Sequence, residues 1–240
     1  MYFCEVKNTV FHMRQFDLHQ ERSAMKTGTD GVLLGAWCRV PETGNVWDIG
    51  TGTGVIALMT AQRSGCMISG IEIDRDAAEE ATLNANESPW RDRVKMVHGD
   101  ALRVCESLPC PDVIVSNPPF FKTTLKSPDA RRMEARHGET LNVESLIELA
   151  AKRLAPHGSL SLIAPIDRMD DIEEHAAMHR LNVQRVCMVK SATHKPVIRV
   201  MMQLGRDLTA IEREELSIRD ADGAYTAEYR ALTKEFYTHL

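Results

Sequence analysis

The chain has 240 residues, of which 43% are hydrophobic and 26% charged, with a formal net charge of −5; this suits one globular α/β-sized domain and excludes a disordered or fibrous polymer. No run approaches the roughly 18 consecutive apolar residues of a membrane span, and Met1 to Asn8 carry Glu5 and Lys7 where a signal peptide needs an apolar core. The acidic average also excludes a protein that coats nucleic acid indiscriminately, so a cytoplasmic protein with a site-limited partner is expected.

From the N-terminus, Val10 to Val40 forms a segment that ends in a helix-like apolar run at Gly31–Cys38. The polar stretch Met25-Lys26-Thr27-Gly28-Thr29-Asp30 leads into that run. A glycine-containing junction before a helix offers free backbone N–H groups to an anion; a plain N-cap at Thr29 or Asp30 is the alternative. Short apolar runs then alternate with helical patterns, which predicts a mostly parallel sheet covered on both faces. The predicted strands are Val46–Ile49, Met67–Glu72, Val94–His98, Val113–Ser116, Ser159–Ala164, Gln184–Val189 and Val197–Leu204. The predicted helices are Val55–Arg63, Ala77–Asn86, Val143–Leu154 and Met169–His179. Gly158 marks a turn after the third of these. At the end, Tyr225, Tyr229, Leu232 and Phe236 recur at helical spacing and are expected to pack on the core. The expected organisation is one domain over 1–240, with an N-terminal extension (1–40), a core (41–205) and a helical C-terminal extension (206–240).

The six cysteines (Cys4, Cys38, Cys66, Cys105, Cys110 and Cys187) form no C-x-x-C pair, and the histidines are scattered without ligand spacing. The cysteines read as free thiols in a reducing compartment, and no metal site is expected.

Val46-Trp47-Asp48-Ile49-Gly50-Thr51-Gly52-Thr53-Gly54 runs from a strand into the helix at Val55. The spacing G-x-G-x-G, with Asp48 two residues before it, differs from a dinucleotide loop, which usually has an apolar residue where the acid stands, since an anion repels pyrophosphate. S-adenosylmethionine carries an ammonium and a sulfonium and no phosphate, so it suits an acid at that place. One βα unit later, Glu72 closes a strand where a carboxylate can accept both ribose hydroxyls; Asp74 competes for that role or caps the next helix. His98-Gly99-Asp100-Ala101 follows the third strand, where Asp100 can bind an adenine amino group. Singly each acid reads equally well as a cap; three at successive strand ends beside a glycine loop are a stronger signal.

Val113-Ile114-Val115-Ser116 ends in Asn117-Pro118-Pro119-Phe120, followed by Phe121. Two prolines fix the backbone and remove two N–H donors. An exocyclic amino group is a poor nucleophile because its lone pair is delocalised. Acceptance of its hydrogens by the Asn117 oxygen and the Pro118 carbonyl favours the pyramidal form, while Phe120 stacks on the base. A proline-stiffened loop plugging the core is the bland alternative. Between Phe120 and His137 stand five basic residues (Lys122, Lys126, Arg131, Arg132 and Arg136) against two acidic ones, whereas from Gly205 onward acids outnumber bases eight to five. That asymmetry fits a local grip on phosphate.

The Asp48–Gly54 loop, Glu72, Asp100 and Asn117–Phe120 together resemble class I Rossmann-like methyltransferases acting on planar amino groups. Met25 to Trp37, Asn86-Glu87-Ser88-Pro89-Trp90 and Tyr225–Tyr237 are more closely similar to the bacterial tRNA1(Val) (adenine-37-N6)-methyltransferase family, so the likeness covers nearly the whole chain; Phe120 stands where a tyrosine is often found. The resemblance implies a seven-stranded mostly parallel sheet, S-adenosylmethionine as cofactor and a tRNA anticodon loop as partner; the oligomeric state is open, with a monomer favoured. It implies catalysis by Asn117, Pro118, Pro119 and Phe120. The cofactor would be held by Lys26, Gly28, Thr29, Asp48, Gly50, Gly52, Gly54, Glu72, Ile73, Asp100, Ala101 and Asn117, with the N-terminal extension closing over it. RNA would be gripped by Lys122, Lys126, Arg131, Arg132 and Arg136, with His194, Lys195 and Arg199 on the same face. The rival substrates for the same motifs are guanine N2 of ribosomal RNA and a protein glutamine; a nicotinamide oxidoreductase is the rival from another class.

Overall fold

The structure is a computed structural model that describes residues 9–23, 26–118 and 141–239. An N-terminal hairpin, β1 (Val10–His12) and β2 (Asp17–His19), precedes helix α1 (Thr29–Trp37). The core then runs β3 (Asn45–Ile49), α2 (Val55–Arg63), β4 (Met67–Glu72), α3 (Arg75–Glu87), β5 (Val94–His98), the short α4 (Ala101–Val104) and β6 (Val113–Ser116). It continues through α5 (Val143–Arg153), β7 (Ser159–Pro165), α6 (Met169–Met178), β8 (Asn182–Ala192) and β9 (Val197–Gly205), and closes with β10 (Glu212–Arg219) and α7 (Ala227–Thr233).

The main sheet has the order β10-β8-β9-β7-β6-β3-β4-β5, and β9 alone runs against its neighbours. The mostly parallel α/β sheet is as expected, but among the described residues it has eight strands, not seven. The extra one corrects the purely helical reading of residues 206–240. The β10 sequence EREELSIR buries only Leu216 and therefore has no apolar signature. It adds in parallel to β8 as an edge strand, where charges are tolerated. Its acids find cations: Glu212 with Arg39, Glu214 with Arg185, and Glu215 with Lys190.

Alternation along the strands feeds two cores, one on each face of the sheet. Val46, Val113 and Val115 face α1, α2, the N-terminal hairpin and α7, whereas Trp47, Ile49 and Ile114 face α5 and α6. Helix α1 is buried from Gly31 to Trp37. A Cβ at Gly35 would meet the Met59 sulfur at 2.9 Å, so glycine lets α1 lie directly on α2. The terminal aromatics pack as expected: Tyr229 and Phe236 are buried, and Tyr237 bridges to Met13 of the hairpin. Cys38, Cys66, Cys105 and Cys187 are buried free thiols; burial pushes Cys38 up to about 11 and Cys105 to about 12. Among the described residues, no helix is long and apolar enough to cross a membrane.

Candidate active site

The strand order reverses between β3 and β6, whose carboxyl ends lie side by side. That switch point is where open α/β sheets leave a crevice. Ser116 at the end of β6 is fully buried, and its hydroxyl donates to the Ile49 carbonyl at 2.7 Å. The bond ties the strand that delivers Asn117 to the strand that delivers the glycine turn.

Gly50, Gly52 and Gly54 all have positive φ (71°, 53° and 85°), a region costly for side-chain-bearing residues. A Cβ built on Gly50 or Gly52 would meet nothing within 4 Å. These two positions thus line open space, whereas a Cβ on Gly54 would meet Met96 Cε at 3.0 Å.

Asp48 is 1% exposed. Its Oδ2 accepts from the Thr51 hydroxyl (2.5 Å) and from the Ala57 N–H at the start of α2 (2.9 Å), while Oδ1 is buried with no partner among the described residues. Burial drives this carboxyl up to about 7 against those two hydrogen bonds, and the nearby Glu72 charge adds to the rise. A buried oxygen without a donor calls for one from a ligand or for a proton.

Glu72 accepts from Gly52 N and from Asp74 N, both at 2.9 Å, so it shapes the turn and the next loop at once. Two of roughly four carboxylate lone-pair sites stay available. Asp74 caps α3 through Ala77 N. Asp100 likewise caps α4 through Leu102 N. Ala101 is buried behind it, while Ile73 is 38% exposed beside the Glu72 end of β4.

The N-terminal segment meets the turn directly. Thr27 Oγ1 lies 3.1 Å from Thr53 Oγ1, and Thr27 N donates to Gln20 Oε1. The α1 cap is Gly28, not Thr29 or Asp30, and it makes no side-chain cap bond. Lys26 donates its ammonium to the Gln20 carbonyl at 2.6 Å. Asp30 is bound to Arg199 Nε at 2.9 Å.

Asn117 is half-buried and Pro118 buried at the end of β6. Pro119, Phe120, Lys122, Lys126, Arg131, Arg132 and Arg136 lie outside the described residues. His194 and Lys195 are exposed in the turn between β8 and β9, at the same end of the sheet as the switch point, because β9 starts opposite the carboxyl end of β7. Arg199 stands at that end too, its side chain 32% exposed and its Nε paired with Asp30.

A methyltransferase small domain model matches residues 26–185, two thirds of the chain. A tRNA1(Val) (adenine(37)-N6)-methyltransferase of Porphyromonas gingivalis is 46% identical, with 95% of each chain covered. The chain belongs to the tRNA1(Val) (adenine(37)-N6)-methyltransferase family. Relatives of the same name from Tolumonas auensis (39% identical, 96% of this chain and 97% of that one) and Aeromonas hydrophila (40%, 98% and 99%) agree. Among solved structures, a predicted O-methyltransferase from Agrobacterium tumefaciens superposes with a TM-score of 0.67 at 18% identity, covering 86% of this chain and 96% of that one. A putative class I S-adenosylmethionine-dependent methyltransferase from Listeria monocytogenes follows at 0.57 and 15%, covering 78% and 62%. These two likenesses establish the class I methyltransferase fold.

S-adenosylmethionine is the methyl donor of this family fold, and the turn fits it. The Gly50 and Gly52 cradle would be filled by side chains, and the orphaned Asp48 oxygen suits a cationic ligand rather than a phosphate. Sequence reasoning missed Glu80, Asn84 and Gln20, three buried polar residues behind the site. For Glu80 and Asn84 the signal was the alanine stripe of α3 (Ala77, Ala81, Ala85), which shares their helical face; Gln20 has none.

Proposed function

We propose that this protein transfers a methyl group to N6 of adenine 37 in the anticodon loop of tRNA1(Val). The observation that carries the reading is the pairing of β3 with β6, tied by the Ser116–Ile49 hydrogen bond, which sets the Asn117-Pro118 corner beside the glycine turn. The names of relatives covered end to end favour this substrate over guanine N2 or a protein glutamine.

S-adenosylmethionine, when bound, supplies an electrophilic methyl on a sulfonium. In this reading Glu72 takes the ribose hydroxyls, Asp100 and Ala101 meet the adenine edge, and Ile73 covers its face. The uncapped first turn of α1, at Gly28 and Thr29, faces the methionine end with Lys26. Asn117 and the Pro118 carbonyl accept the hydrogens of the target amino group, orienting its lone pair, while Phe120 stacks on the base; Pro119 stiffens the corner. No strong base is needed before attack, because the proton leaves afterwards. An anticodon-loop adenine can be splayed out without opening a duplex. The basic stretch from Lys122 to Arg136, with His194 and Lys195, grips phosphate. The whole works as one cytoplasmic domain, as a monomer and without a metal. Nucleoside mass spectrometry of tRNA from cells with and without the gene tests the reading: N6-methyladenosine at position 37 should vanish on deletion. Its persistence would contradict the assignment.

A further inference from the structure

Helix α3 carries two polar side chains that are almost sealed from solvent, Glu80 (3% exposed) and Asn84 (1%). Neither belongs to a strand-end motif. Asn84 uses both ends of its amide: Oδ1 accepts from His19 N at 2.8 Å, and Nδ2 donates to the carbonyls of His19 and Thr53, each at 2.9 Å. Thr53 is the residue between the last two glycines of the turn. Its carbonyl orientation fixes the peptide plane leading into Gly54, whose φ is +85°.

Glu80 extends the same clamp four residues away. It accepts from the main-chain N–H groups of Glu21, Arg22 and Ser23 and from the Ser23 hydroxyl. Burial raises its carboxyl, but these four bonds outweigh that and hold it below its ordinary value. Residues 19–23 are thereby fixed to α3, and Gln20 passes the constraint on. Its side chain accepts from Thr27 N, its carbonyl takes the Lys26 ammonium, and Thr27 meets Thr53. A closed circuit results: α3, the arm, and the glycine turn, joined at both ends by Asn84 and by Thr27.

We propose that Asn84, supported by Glu80, is a positioning residue for methyl-donor binding, holding the N-terminal arm and the glycine turn in one fixed relation. The inference rests on reading that turn as the S-adenosylmethionine site. Removing Asn84 leaves the turn free to rotate its peptide and the arm free to part from it, so donor affinity falls while the chemistry at Asn117 is spared.

The test uses the full chain and S-adenosylmethionine itself. Calorimetry should give a Kd raised about tenfold in Asn84→Ala, the scale of one or two lost hydrogen bonds. The kcat at saturating donor should stay within about twofold of wild type, the mark of lost ground-state binding. Amide hydrogen exchange, with no substrate present, should rise together at residues 19–23 and 52–54. Gln20→Leu leaves α3 intact and cuts only the Thr27 link; it should raise Kd in the same direction, and it decides alone if Asn84→Ala does not fold. An unchanged Kd, a fall in kcat at unchanged Kd, or exchange that rises in one segment only would overturn the proposal. A wild-type chain that fails to bind the donor would instead remove the reading of the turn, and this inference with it.

Discussion

Acids at the switch-point end of the sheet and acids on the edge strand β10 meet different kinds of partner. Around the switch point Asp48, Glu72, Asp74, Glu80 and Asp100 each accept from main-chain N–H groups. On β10, Glu212, Glu214 and Glu215 pair with Arg39, Arg185 and Lys190. A carboxylate on backbone donors dictates where the chain goes and keeps lone pairs for a ligand. An exposed ion pair such as that of Glu212 with Arg39 neutralises charge and dictates little, because the partner side chain adapts; Glu214 differs, holding the largely buried Arg185 and the Trp37 indole N–H. The first group should therefore matter for binding and turnover, the second for the sheet edge and its seating on α1.

The largest effect is expected at the turn. Gly52→Val puts a branched side chain at φ +53° and into the space that Gly50 and Gly52 keep open, so calorimetry should find donor affinity down by about a hundredfold or more. Unaltered affinity would mean that the open space is not the cofactor cradle.

Asp48 sharpens the comparison through pH. Its carboxyl is raised from 3.8 to about 7 by burial. The folded state therefore holds this proton more tightly than the unfolded one, and the residue withdraws stability as pH climbs from about 4 to 7. A cation bound beside the turn would favour the ionised form by its charge, without touching the sealed Oδ1, so donor affinity should rise between pH 6 and 8, by at most about tenfold per unit. Asp48→Asn should flatten the profile; a flat wild-type profile would mean that the carboxylate does not sense the donor's charge.

What could be read from the chain follows the same division. Strands β4, β5 and β6 and helix α2 fall where apolar runs and glycine punctuation put them: β6 and most of α2 are buried, and β4 and the edge strand β5 still carry short apolar runs bounded by turns. The Asp48, Glu72 and Asn117 positions were legible for the same reason: strand ends are marked in sequence. β10 was not, since an edge strand needs one apolar face and this one carries ion pairs instead. Hairpin β1–β2 is too short to show a period, and its role comes from Glu80 and Asn84, about 60 residues away in the chain. That long-range pairing has no local signature. The ion pair between Arg199 and Asp30, 169 positions apart, is equally unmarked in the sequence.

At the β8–β9 turn a smaller effect is expected. His194→Glu with Lys195→Glu should weaken tRNA binding several-fold and lower its salt dependence, leaving donor affinity unchanged; filter binding at two salt concentrations measures it. Full-strength binding would clear that turn of RNA contact. The least effect belongs to Glu212→Gln, whose exposed partner Arg39 loses only a solvated ion pair. Tm and donor binding should both be indistinguishable from wild type, and a clear drop in either would show that the β10 edge does shape the site.

The central claim is that the Asn117-Pro118 corner acts on the target amino group while the glycine turn, separately, holds the donor. Single-turnover methylation of a tRNA1(Val) transcript by Asn117→Ala, at saturating donor and with the donor Kd measured alongside, tests it most directly. The account predicts a rate lower by at least about a hundredfold with a Kd close to wild type. Methylation at the wild-type rate would contradict it.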